Sequence, residues 1–142
     1  MNQYPLVFKA EAHSISGVQS SWTMNSYSKE TSCAIPPEFK GPGNGFSPED
    51  LFAQALTNCL IGTFKVYAEN SKLTFDQIKI QTELSVDTNE SRKVCMKKCH
   101  LEIQLINPSS PEKALLLIKK SFESGFILNS VKTELTYNLV IQ

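Results

Sequence analysis

Four cysteines, at positions 33, 59, 95 and 99, carry most of the chemical potential of this 142-residue chain, and Cys59 stands apart from the others. It lies in PPEFKGPGNGFSPEDLFAQALTNCLIGTF, Pro36 to Phe64, where a loop rich in glycine and proline runs into an apolar segment. A thiol is a nucleophile only when ionised, and an unperturbed cysteine with a pKa of about 8.5 is mostly protonated at neutral pH. A helix dipole reaches only the first turn and burial raises a thiol pKa, so a working Cys59 needs a cation beside it. The only arginine, Arg92, reads as a solvated turn residue, and the lysines are scattered. The plain alternative is that Cys59 is a small core residue, since free cysteine is among the most buried residue types.

Glu49 is the second candidate. Ten residues separate it from Cys59, about 15 Å along a helix, so a site using both needs the copy from a partner chain. Cys95 and Cys99 sit four apart in what reads as an extended strand, about 13 Å from each other, too far for shared zinc ligation or a disulfide. Both read as core residues on one strand face, with His100 opposite, and His13 reads as a loop histidine. Gly41, Gly43 and Gly45 approach a helix N-terminus as phosphate cradles do, but the lysine-serine ending of a P-loop is missing. They read as a turn that presents Glu49. No metal and no cofactor are expected.

The elements that must position these residues follow from pattern. Ser47, Pro48 and Asp50 make an N-cap, a first-position proline and an S-x-x-D box, so a helix begins at about Ser47 and fades near Asn70. Its apolar residues wrap most of the cylinder, which predicts burial on nearly all sides. Ala55, Cys59, Gly62 and Thr63 form a low-profile face suited to a helix contact, such as one across a dimer axis. Before it, Leu6, Phe8 and Ala10 alternate, Ser16-Gly17 can turn, Trp22, Met24 and Ser26 share one side of a run with Tyr27 opposite, and Cys33 and Ile35 close a third strand. After it, Ile78 to Val86 alternates as a half-buried strand, and Cys95 to Leu105 returns as its hairpin partner. Pro108 to Pro111 caps a second helix with Leu115, Ile118 and Phe122 as its apolar stripe, Gly125 is its stop, and Leu135 to Ile141 is a last strand. The order βββ-α-ββ-α-β predicts an α+β fold in a single domain, residues 1–142.

Lysine plus arginine equals aspartate plus glutamate, 14 against 14, which gives no case for a nucleic-acid or membrane partner. The N-terminus lacks a charged region followed by an apolar run, and Gln54, Asn58 and Lys65 interrupt the most apolar stretch. The expectation is a cytoplasmic protein with reduced thiols.

Pro-Pro-Glu-Phe-x-Gly-x-Gly at 36–43, Ser-Pro-Glu-Asp-Leu-Phe at 47–52, Ala-Leu-Thr-Asn-Cys at 55–59 and the segment from Asn129 to Leu135 resemble the OsmC/Ohr family of osmotically inducible and organic hydroperoxide resistance proteins. The resemblance implies an intertwined homodimer with two central helices back to back and sites at the subunit interface. It also implies a thiol peroxidase in which Cys59 is the peroxidatic cysteine and Glu49 the glutamate that, with an arginine, polarises thiol and peroxide. The family's second cysteine aligns with Gly125, and no arginine precedes Arg92. The implied activity is therefore a one-cysteine reduction or sensing of organic hydroperoxides, with the sulfenic acid reduced by an external thiol or by Cys33, Cys95 or Cys99 if the fold brings one close, and with a lysine such as Lys40 in place of the arginine. The alternative is a degenerate member that binds a small apolar ligand in the dimer pocket.

Overall fold

The computed structural model describes residues 2–142. They divide into two units, one ending at Leu51 and the other comprising Phe52–Gln142. The elements are β1 (Glu11–His13), β2 (Trp22–Ser26), β3 (Lys29–Cys33), α1 (Pro48–Asn70), β4 (Gln77–Thr88), β5 (Val94–Ile106), α2 (Pro111–Ser124) and β6 (Glu134–Ile141), with short 3-10 turns at Pro37–Phe39 and Leu128–Ser130. This is the α+β order that the sequence predicts.

In the first unit β1, β2 and β3 form an antiparallel sheet in that order, with Ala12 opposite Met24 and Thr23 opposite Ser32. Tyr27 and Ser28 are the two-residue turn between β2 and β3, both left-handed at φ 52° and 61°. A tight hairpin needs that conformation to match strand twist, so Tyr27 leaves the strand in which alternation had placed it. The alternating Leu6, Phe8 and Ala10 form no strand, and Phe8 is 87% exposed. His13, expected in a loop, ends β1. Beyond β3 the chain folds back: Ala34 N–H donates to Phe46 O and Phe46 N–H to Ser32 O, both at 3.0 Å. That close approach explains the glycines, because a Cβ on Gly41 would lie 1.9 Å from Ile35 O and one on Gly45 3.1 Å from Ser32 O.

In the second unit β5 is the central strand. β4 pairs with it antiparallel, placing Ile80 opposite Ile103 and Leu84 opposite Cys99, and β6 pairs with it parallel through the α2 crossover. Leu56, Leu60 and Phe64 of α1, Leu101, Ile103 and Leu105 of β5 and Ile118 of α2 are fully buried together. Each such side chain contributes about 1.5–3 kcal/mol of burial free energy.

The buried residues of α1 are Leu56, Leu60, Phe64 and Ala68, one stripe and not the all-round burial expected. On the rest of the helix Val66 is 58% exposed, and a Cβ on Gly62 would meet nothing within 4 Å. α2 is capped by Ser110, whose Oγ accepts from Lys113 N–H, and it buries Ala114, Ile118 and Ser121. Leu115, expected inside, is half exposed at 52%.

A register shift lies between Ser85 and Val86: Ser85 faces Lys98 while Val86 faces Met96, leaving Lys97 as the extra residue of a bulge. An extra residue reverses the in-out alternation beyond it. Cys95 therefore falls opposite Asp87, on the other face from Cys99, which corrects the expectation of a shared face. On the polar face His100 Nδ1 lies 2.7 Å from Thr136 Oγ1, His100 Nε2 2.9 Å from Glu102, and Asn138 Nδ2 donates to Glu102 at 2.7 Å. These bonds tie β6 to β5 beside the ladder. Among the described residues no helix is long and apolar enough to cross a membrane.

Candidate functional site

Both candidate residues, Glu49 and Cys59, lie on α1. Ser47 Oγ accepts from Asp50 N–H, and the Asp50 carboxylate accepts from Ser47 N–H, each at 3.0 Å. Two of the helix's unpaired amides are thus satisfied reciprocally, which fixes where α1 begins and places Glu49, half buried, in its first turn. Cys59 follows on the same helix, ten residues on, and a rise of 1.5 Å per residue sets the two about 15 Å apart along the axis. One helix cannot bring them together.

Cys59 is half buried and packs against the core, its Sγ 4.0 Å from Thr63 Oγ1 one turn further along α1. Its other neighbour is distant in sequence. A Cβ on Gly125 would stand 2.9 Å from Cys59 Sγ, 2.9 Å from Leu128 Cδ1 and 3.1 Å from Ser121 O. Gly125 does terminate α2, its N–H donating to Ser121 O at 2.9 Å. Its φ of −54° and ψ of 136° are open to any residue, however. Glycine is required here for space beside a thiol, and not for the left-handed conformation that a helix-stop glycine commonly supplies.

The remaining thiols differ. Cys33 and Cys99 are buried, and burial pushes the Cys99 thiol pKa up, which makes it a packing residue and a poor nucleophile. Cys95 is half buried on the far face of the sheet from Cys99.

The cations are placed by their turns. Arg92 is exposed and left-handed at φ 61°, in a hairpin turn where Asn89 Oδ1 accepts from the Ser91 and Lys93 amides at 2.9 and 3.0 Å. It is the solvated turn residue that the sequence suggested. Lys40 closes the Pro37–Phe39 turn with φ 65°, and its carbonyl accepts from the Gln19 side chain. Sequence reasoning did not single out Ser121 and Leu128 as neighbours of this site. Only the α1–α2 packing reveals them, since nothing local in a sequence marks a contact across more than sixty residues.

Residues 41–140 match the family model described as OsmC-like protein. The Bacillus subtilis (strain 168) protein YmaD is 27% identical over 114 residues, covering 78% of this chain and 76% of that protein. An OsmC-like protein of unknown function from Vibrio cholerae O1 biovar eltor superposes with a TM-score of 0.81 at 18% identity, covering 94% of this chain and 100% of that one. The organic hydroperoxide resistance protein OhrB of Bacillus subtilis superposes with a TM-score of 0.67 at 19% identity, covering 95% and 98%. At these identities the structural likenesses establish the fold.

Proposed function

Because this chain belongs to the OsmC-like family, we propose that it is a redox protein that reduces or senses organic hydroperoxides through Cys59 and takes its second thiol from outside the chain. The observation that carries this reading is the contact of Cys59 Sγ with residue 125, where a Cβ would stand 2.9 Å away. Position 125 is the one at which the family's two-cysteine members place their second thiol, and here it offers only backbone. Structural relatives named as organic hydroperoxide resistance proteins support the substrate class.

In this reading the Cys59 thiolate attacks the outer peroxide oxygen, the O–O bond breaks, and the departing alkoxide takes up a proton. Sulfur is oxidised to a sulfenic acid and the peroxide is reduced to an alcohol. An external thiol then attacks the sulfenic sulfur and expels water, giving a mixed disulfide. A second external thiol releases Cys59 and leaves as the oxidised disulfide. Glu49 acts from the second copy of the chain in a homodimer, since its own helix holds it about 15 Å away. The open face of α1 around Gly62 supports that pairing. The reading places the protein in the cytoplasm, where an external thiol pool is available.

A second reading is favoured by one observation: the single arginine lies in an exposed hairpin turn. Without an arginine to polarise the thiol, the pocket would serve to bind a small apolar ligand. The discriminating experiment is consumption of cumene hydroperoxide with dithiothreitol as reductant. The redox reading expects turnover that falls to the uncatalysed rate in Cys59→Ser, and unchanged turnover in that variant removes Cys59 from the chemistry.

A further inference from the structure

The contact between Cys59 and Gly125 is held by groups that lie beyond it. Tyr67, two helical turns past Cys59 on α1, places its hydroxyl 2.7 Å from Ser124 Oγ. Ser124 is the last residue of α2 and precedes Gly125 directly. Its own hydroxyl donates to Lys120 O at 2.6 Å, so the proton between the two side chains belongs to Tyr67, which donates to Ser124. The Lys120 ammonium sits 4.4 Å from the centre of the Tyr67 ring, a cation–π contact that holds the ring in place. On the other side of the turn Asn129 donates from its side chain to Ser124 O at 3.2 Å and from its backbone to Gly125 O at 2.8 Å. Residues 124 and 125 are thus fastened on both sides, and on the α1 side Tyr67 is the fastening.

We propose that Tyr67 is a positioning residue for Cys59: its hydrogen bond to Ser124 holds the Gly125 backbone against Sγ, so that one side of the sulfur is covered and reagents approach from the other. This rests on Cys59 being the working thiol, and its test reads thiol chemistry instead of peroxide turnover, so the two can fail separately. Tyr67→Phe is the informative change. It keeps the ring beneath Lys120 and removes only the donor.

The measurement is the rate of iodoacetamide alkylation at each of the four cysteines, resolved by peptide mass spectrometry. The expected result is a rise at Cys59 of about threefold to tenfold, the factor one hydrogen bond is worth, with Cys33 and Cys99 unchanged. Buried Cys33 and Cys99 report general loosening, which a merely structural role would produce. A matched pair completes the test. In a Gly125→Cys background oxidised with diamide, which takes up the two electrons and two protons released, adding Tyr67→Phe should slow closure of the disulfide with Cys59 by a similar factor, because the hold that brings the partners together is gone. Unaltered Cys59 alkylation, a parallel rise at Cys33 and Cys99, or disulfide closure at an unchanged rate would each overturn the proposal.

Discussion

At position 125 two absent heavy atoms, Cβ and Sγ, separate the one-cysteine chemistry proposed for this chain from a two-cysteine one. In a disulfide, an S–S bond of about 2.0 Å puts each Cβ about 3 Å from the opposite sulfur. A Cβ built on Gly125 lies 2.9 Å from Cys59 Sγ. Against the sulfur a non-bonded carbon cannot rest there, but a disulfide carbon can once the end of the Leu128 side chain, whose Cδ1 would also lie 2.9 Å away, swings aside. Two substitutions at one residue should therefore diverge. Gly125→Ala is expected to destabilise the fold by about 1–3 kcal/mol through overpacking. Gly125→Cys, treated with one equivalent of hydroperoxide, is expected to lose two thiols per chain and close an intramolecular bridge worth about 3–5 kcal/mol relative to its reduced form. Thermal unfolding and mass under non-reducing conditions read both outcomes. A Gly125→Cys variant that keeps its thiols or cross-links only between chains would contradict the geometry.

At the scale of elements, the β4–β5 hairpin and β6 were legible because each keeps a period of two between turn residues, and α1 began where its cap announced it. The errors have physical causes. The bulge at Lys97 sends Cys95 to the opposite face from Cys99, and a bulge leaves no mark in an alternating pattern until pairing is known. Leu6 to Ala10 alternates yet pairs with no strand, since alternation shows only that a segment could form one. At Gly125 the local pattern marks a helix stop and the family resemblance marks the place of a second cysteine; the packing sets the Cys59 thiol against that place. The polar face carries its own test. Glu102 is held below the ordinary glutamate pKa of 4.5, first by the Asn138 hydrogen bond and then by that from His100. A carboxyl depressed in the folded state adds stability above its unfolded pKa and loses it as pH falls through the folded value. Wild type should thus unfold at a higher temperature than Glu102→Gln above about pH 5, with the gap closing in more acid solution. A gap that widens as pH falls would exclude the β5–β6 tie.

For the whole molecule, the unit ending at Leu51 buries only Cys33, Ala34 and Ser47 among its described residues, while Phe8 and Ile15 are 87% and 78% exposed. So little burial cannot hold a three-stranded sheet by itself. α1 in turn leaves the face around Gly62 open. The homodimer proposed above would meet both needs, and sedimentation equilibrium is expected to give twice the 15.9 kDa chain mass. A single-chain mass at micromolar concentration would contradict the dimer and with it the role given to Glu49. The central claim concerns Cys59, and it is tested most directly by mixing the reduced protein rapidly with cumene hydroperoxide and a sulfenic-acid trap and locating the adduct by peptide mass spectrometry. Fast trapping confined to Cys59 is the expected result; slow oxidation scattered over all four cysteines would contradict it.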